Sequence, residues 1–89
     1  MSYEQMMKEI DVAWNTSFEN RMILADMKHM LIEFKNQKKF SLIDQTHRRE
    51  LIKLMHDMTT QGRRPHKLWE CSSYFRLKYL YLKELHGEL

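Results

Sequence analysis

Glycine and proline are nearly missing from this chain, with two glycines and one proline in 89 residues. Strand-rich folds consume many tight turns, which these residues supply, so their scarcity points to helices. The single cysteine, Cys71, has no partner for an internal disulfide, a pattern compatible with a reducing compartment. There is no cysteine pair and no His-Glu-x-x-His, so the specific zinc signatures are absent. Gly62 and Gly87 stand alone, which excludes a glycine-rich phosphate loop. No uncharged run approaches the ~18 residues that would cross a bilayer. The opening Met1-Ser2-Tyr3-Glu4 lacks the basic-then-apolar order of a secretory signal. The expected address is intracellular, in the cytoplasm by default.

What is present fits one folded domain spanning residues 1–89, with 43% hydrophobic and 30% charged residues. A chain this short buries only about 60–65% of its unfolded surface, so a deep active site would compete with the core for residues. The acids of residues 1–34 are scattered, and no general acid–base pair stands out. His66, Glu70 and Cys71 lie close in sequence, but a five-residue spacing on one helix separates a His from a Cys nucleophile. The expectation is a non-enzymatic binding protein without cofactor, metal or small-molecule substrate.

Four helical segments emerge from capping signals and 3.6-residue periodicity. Ser2 with Gln5 forms a capping box for the first, which reaches about Trp14. Asn15-Thr16-Ser17 is a weak break, leaving one long kinked helix as an alternative. Thr16 with Glu19 caps a second segment to about Gln37, with Phe18, Met22, Ile23, Met27, Met30, Leu31 and Phe34 on its inner side. Ser41 with Asp44 caps the third, whose inner face carries Ile43, His47, Leu51, Leu54, Met55 and Met58. Gly62 suits the left-handed position that closes it, and Pro65 suits the first turn of a fourth segment running to about Leu85. Short connections predict antiparallel neighbours. The fold class is all-α, a compact bundle of three to four helices.

The net charge of +3 conceals an asymmetry, with twelve bases and four acids between residues 35 and 83. Arg49 and Lys53 line the polar side of the third segment, Arg48 sits at its border, and Arg63, Arg64 and Lys67 come after the turn. Helix N-termini and the guanidinium fork both suit phosphates. Lys38 and Lys39 extend the same patch if the bundle brings them close. The leading expectation is a regulatory protein associated with nucleic acid through these eight residues. The match to a helix-turn-helix is loose, because the turn exceeds three or four residues. A solvated surface would carry the same charges.

The fourth segment is apolar around most of its circumference. Leu68, Cys71, Phe75, Tyr79, Leu82 and Leu85 form a core stripe, while Trp69, Leu77 and Leu80 lie nearly opposite and Tyr74 and Tyr81 share a flank. A helix of this kind is central in its bundle or covered by another chain. The alternative function is therefore a protein-binding adaptor or inhibitor, dimeric in one version, using Trp69, Tyr74, Leu77, Leu80 and Tyr81. Interfacial membrane helices keep one strongly polar face, which this segment lacks, so no membrane role is expected. The methionines read as core filling, since Met6, Met22, Met27, Met30, Met55 and Met58 all fall at core spacing. Asp44, His47 and Glu50, three apart, read as surface and core residues and not as metal ligands, with His47 on the apolar stripe.

Overall fold

A computed structural model describes residues 2–60, 67 and 70–87. Among them there are four α-helices and no strand: α1 (Tyr3–Thr16), α2 (Arg21–Asn36), α3 (Gln45–Thr60) and α4 (Ser72–Leu85). α1 opens on the expected capping box. The Gln5 N–H donates to Ser2 Oγ at 3.2 Å and the Ser2 N–H to Gln5 Oε1 at 3.3 Å.

The first break is genuine, but it is built differently from the Thr16–Glu19 box. The Thr16 hydroxyl bonds back to the Val12 carbonyl at 2.8 Å. Ser17 leaves the helix with φ −132°, and its buried hydroxyl accepts from the Asn20 amide at 2.6 Å. Arg21 then clamps the corner. Its Nε donates to the Trp14 carbonyl at 2.9 Å, and its guanidinium stacks over the Trp14 and Phe18 rings. A 3-10 turn over Phe18–Asn20 resets the helical phase, so Phe18 and Met22 point outward instead of into the core. Leu24, Met27, Met30, Leu31 and Phe34 form the buried stripe of α2.

Asp44, not Ser41, caps α3. Its Oδ1 accepts the His47 N–H at 2.8 Å, and that bond holds the carboxyl below its ordinary pKa. Ser41 belongs to a short 3-10 turn, Phe40–Leu42. The fourth helix starts at Ser72, later than the expected Pro65. Glu70 accepts the Lys67 N–H at 3.2 Å and donates its own N–H to the Lys67 carbonyl at 2.9 Å, closing a local turn. Cys71, at φ −108°, is outside the helix. Gly62 and Pro65 lie outside the described residues.

Contacts along the helices fix their directions. Glu4 meets Lys35 and Asp11 meets Lys28, so α1 and α2 run antiparallel. Arg76 meets Asp44 and His47 meets the Ser73 carbonyl near the starts of α3 and α4, and α2 lies along α4 while α1 lies along α3. Asp26 bonds Tyr74 and Lys78, and His29 meets Tyr81 further along, which makes α2 and α4 parallel. His56, late in α3, meets Glu9 in the middle of α1. α2 and α3 occupy a diagonal, so their connection crosses the end of the bundle. Ile43 plugs that end, and Phe40 packs edge-on against Tyr3 at 5.6 Å. Met6, Met27, Met30, Met55 and Met58 fill the interior with Ile10, Leu51 and Leu77. Met22 is the exception among the expected core methionines.

α2 ends on a lysine where glycine is usual. Lys38 adopts φ +58°, with its N–H donating to the Lys35 carbonyl and the Lys39 N–H to the Phe34 carbonyl, a Schellman closure. A left-handed residue with a Cβ costs roughly 1–2 kcal/mol, part of which glycine's entropy returns. Lys38→Gly is expected to raise stability by about 0.5–1 kcal/mol, or the Tm by about 2–6 °C. Calorimetry showing an unchanged or lower Tm would contradict the strained closure.

Candidate functional site

The rotation of α4 decides which residues reach solvent. Ser73, Tyr74 and Leu77 are buried, and Leu80 and Tyr81 pack half-buried on the core. Tyr81 meets the Phe34 ring edge-on at 6.1 Å. The expected partner-facing residues Tyr74, Leu77, Leu80 and Tyr81 therefore face the chain's own core, and Trp69 lies outside the described residues. The expected core residues Phe75, Tyr79, Leu82 and Leu85 are exposed instead. The inversion has a local cause. The expected stripe joins Leu68 and Cys71 to Phe75, Tyr79, Leu82 and Leu85 on one continuous helix. The turn at Lys67–Glu70 precedes the helix, so Cys71 is buried without setting the phase of α4.

At 100° per residue, Phe75, Tyr79 and Leu82 lie directly opposite the buried side of α4. Lys83 and Arg76 flank them on one side, and Lys78 and Leu85 flank them on the other, toward α2. The sole acid of α4, Glu84, is turned inward to an ion pair with Lys39, its side chain 8% exposed. Between α2 and α4 a groove of about 450 Å³ is lined by Met22, Ile23, Asp26, Tyr74, Phe75 and Lys78. Met22 thereby joins the outer face of α4, and Phe18 stands one turn away.

The polar side chains that line the groove bond one another. The Tyr74 hydroxyl donates to Asp26 Oδ2 at 2.5 Å, and the Lys78 ammonium donates to the same oxygen at 3.0 Å. Burial alone would raise the Asp26 pKa, but the bonds from Tyr74 and Lys78 outweigh it and hold the carboxyl below its ordinary value. Burial, then the bond to Asp26, pushes the Tyr74 phenol up. The bond to Asp26 also holds the Lys78 ammonium above its usual value.

The expected phosphate-binding residues do not form one unencumbered patch. Arg48 donates to the Phe40 carbonyl at 3.2 Å and to Gln45, and it stacks on the Phe40 ring. Lys39 pairs with Glu84. Lys53 is exposed, yet it shares a polar groove with Glu50, Asp57 and Glu70. Lys38, Arg49 and Lys67 are exposed. Arg63 and Arg64 lie outside the described residues.

Other chemistry finds little footing. His47 is buried with Nε2 2.9 Å from the Ser73 carbonyl, while Asp44 caps a helix and Glu50 lines a groove, so the three do not converge. Burial pushes the Cys71 thiol up, away from the reactive thiolate. Among the described residues no group of three His, Cys, Asp or Glu side chains is arranged to hold a metal ion. No helix among them is long and apolar enough to cross a membrane. Comparisons with protein-family models, with curated proteins and with solved structures find no match.

A partly exposed carboxylate with two charge-assisted or short bonds contributes on the order of 1–2 kcal/mol. Because the folded carboxyl's pKa is lowered, that contribution is present above the unfolded value near 4 and is lost as pH falls through the folded value. Asp26→Asn should therefore cost about 1–2 kcal/mol at pH 7, with the gap to the parent narrowing in acid. Urea melts giving the same gap at pH 7 and pH 3 would show that the carboxylate charge is not what Tyr74 and Lys78 hold.

Proposed function

We propose that this protein is a non-enzymatic binding module, an adaptor or inhibitor, that captures a protein partner on the outer face of α4 and the adjoining corner of α2. One observation carries the reading. Phe18 is 72% exposed, Met22 88%, Phe75 44%, Tyr79 61%, Leu82 42% and Leu85 60%. At roughly 200 Å² per large side chain, Met22 and the four α4 residues leave on the order of 600 Å² of surface along α4 and its groove, most of it apolar, while Phe18 lies one turn before Met22 with Arg21 stacked on its ring. The largest patch on an ordinary monomer is about 300–600 Å², and a standard interface takes about 800 Å² per partner. Tyr79 adds an aromatic anchor of the kind that dominates interface energetics.

A second reading, a regulator that contacts nucleic-acid phosphates, draws support from the exposed cations Lys38, Arg49, Lys53 and Lys67. Both readings are separable in one experiment. A photo-cross-linking amino acid replaces either Tyr79 or Arg49 in the full chain, and adducts are collected from the cells that make it. The protein-binding reading expects a protein adduct of discrete mass at position 79 that disappears when Leu82→Asp is added, with melting unchanged. Nucleic-acid adducts at position 49 and none at position 79 would shift the conclusion to the second reading.

A further inference from the structure

We infer that the outer face of α4 receives an amphipathic helix whose apolar seam is bordered by acidic residues. The inference rests on the protein-binding reading and names the chemistry of its partner. The exposed side chains Phe75, Tyr79 and Leu82 are spaced four and three apart, with Met22 extending the seam across the groove. Four–three spacing is the pattern by which one helix presents knobs to another at a shallow crossing angle. The groove between Met22 and Phe75 is concave and mostly apolar, with the Asp26, Tyr74 and Lys78 cluster along it, a receptacle for one large side chain of the incoming helix.

Charge selects among the possible occupants. The positions bordering the seam carry Arg76 and Lys83 on one side and Lys78 on the other. Glu84 is turned inward, so no acid of α4 borders the seam. Arg76 and Asp44 are both more than half exposed at 3.5 Å, a pair that solvent screens heavily and that leaves the guanidinium available to a second carboxylate. The ammonium of Lys78 has three donors, and Asp26 and Tyr74 share two of them. A second copy of this chain, docked through the same seam, would set Lys78 and Lys83, or Arg76 and Lys83, against each other in either orientation. Like charges at those positions disfavour self-pairing and admit glutamate or aspartate.

The test uses two stapled helices of about three turns with leucine at the four–three positions, one carrying glutamate and the other lysine at the flanks. Binding to the full chain is read by fluorescence anisotropy at low salt. The acidic helix should bind at least about tenfold more tightly than the basic one, a difference that shrinks as salt rises. Tyr79→Asp should weaken the acidic helix about tenfold or more with the helical circular dichroism unchanged. Arg76→Glu with Lys83→Glu should reverse the preference, a result that does not depend on the apolar variant folding. Equal binding of both helices, or none, would overturn the inference. So would dimerisation in sedimentation, or binding to phosphatidylserine vesicles, that Tyr79→Asp abolishes. If the cross-link at position 79 persists while the acidic helix fails, the partner is a protein of other chemistry. If both fail, the docking face itself is withdrawn.

Discussion

The rotation of α4 about its own axis is fixed from two sides. Tyr74 and Leu77 are drawn into the common core, where burying each large apolar side chain is worth about 1.5–3 kcal/mol. At the helix start, the reciprocal bonds of Lys67 and Glu70 close a turn that keeps Cys71 out of the helix. Once those anchors are placed, the pitch of the helix dictates the rest. Phe75, Tyr79 and Leu82 must face outward, because they stand on the far side of the same cylinder. The apolar surface arises from a helix with bulky residues on both faces and only one core to bury them in.

The contact between α2 and α4 joins that surface to the fold. Asp26, Tyr74 and Lys78 bond one another along the groove, so this polar cluster is formed before any partner arrives. An incoming apolar side chain that covers Tyr74 meets a hydroxyl already bonded to Asp26, while the third donor of Lys78 stays open to solvent or to a partner's carboxylate. An unpaired buried donor would cost about 1–3 kcal/mol. The same network favours the parallel pairing of α2 and α4 and with it the diagonal position of α3. That arrangement brings Asp44 to Arg76 and the Ser73 carbonyl to His47. Architecture and surface therefore depend on one shared interface.

Much of the fold is legible in the sequence, and the reasons differ by element. Ser2 and Gln5 form a reciprocal local pair that needs nothing distant, so the start of α1 is readable. The stripes of α1 and α3 are readable because each carries most of its bulky apolar residues on one side. α2 is half-readable, since the corner at Ser17 and Asn20 resets the phase and turns Phe18 and Met22 outward. α4 reads with its faces exchanged. Both of its sides are apolar, and choosing between them requires knowing where the helix begins. The one local signal is Glu70, three residues after Lys67, with Ser72 and Ser73 beyond it, a polar group that suits a helix start better than a helix interior. The basic residues are plain as charges, but which acids they meet is a matter of tertiary placement. Glu84 opposite Lys39 cannot be read from spacing.

Everything proposed for the docking face depends on which side of α4 meets water, and cysteine accessibility measures that most directly. In a Cys71→Ser background, single cysteines at positions 74, 75, 77, 79 and 82 are reacted with a soluble maleimide under native conditions. Rapid labelling at 75, 79 and 82, with protection at 74 and 77 that unfolding removes, is the predicted pattern. Protection at 75, 79 and 82 with rapid labelling at 74 and 77 would place the apolar seam in the core and contradict the docking face.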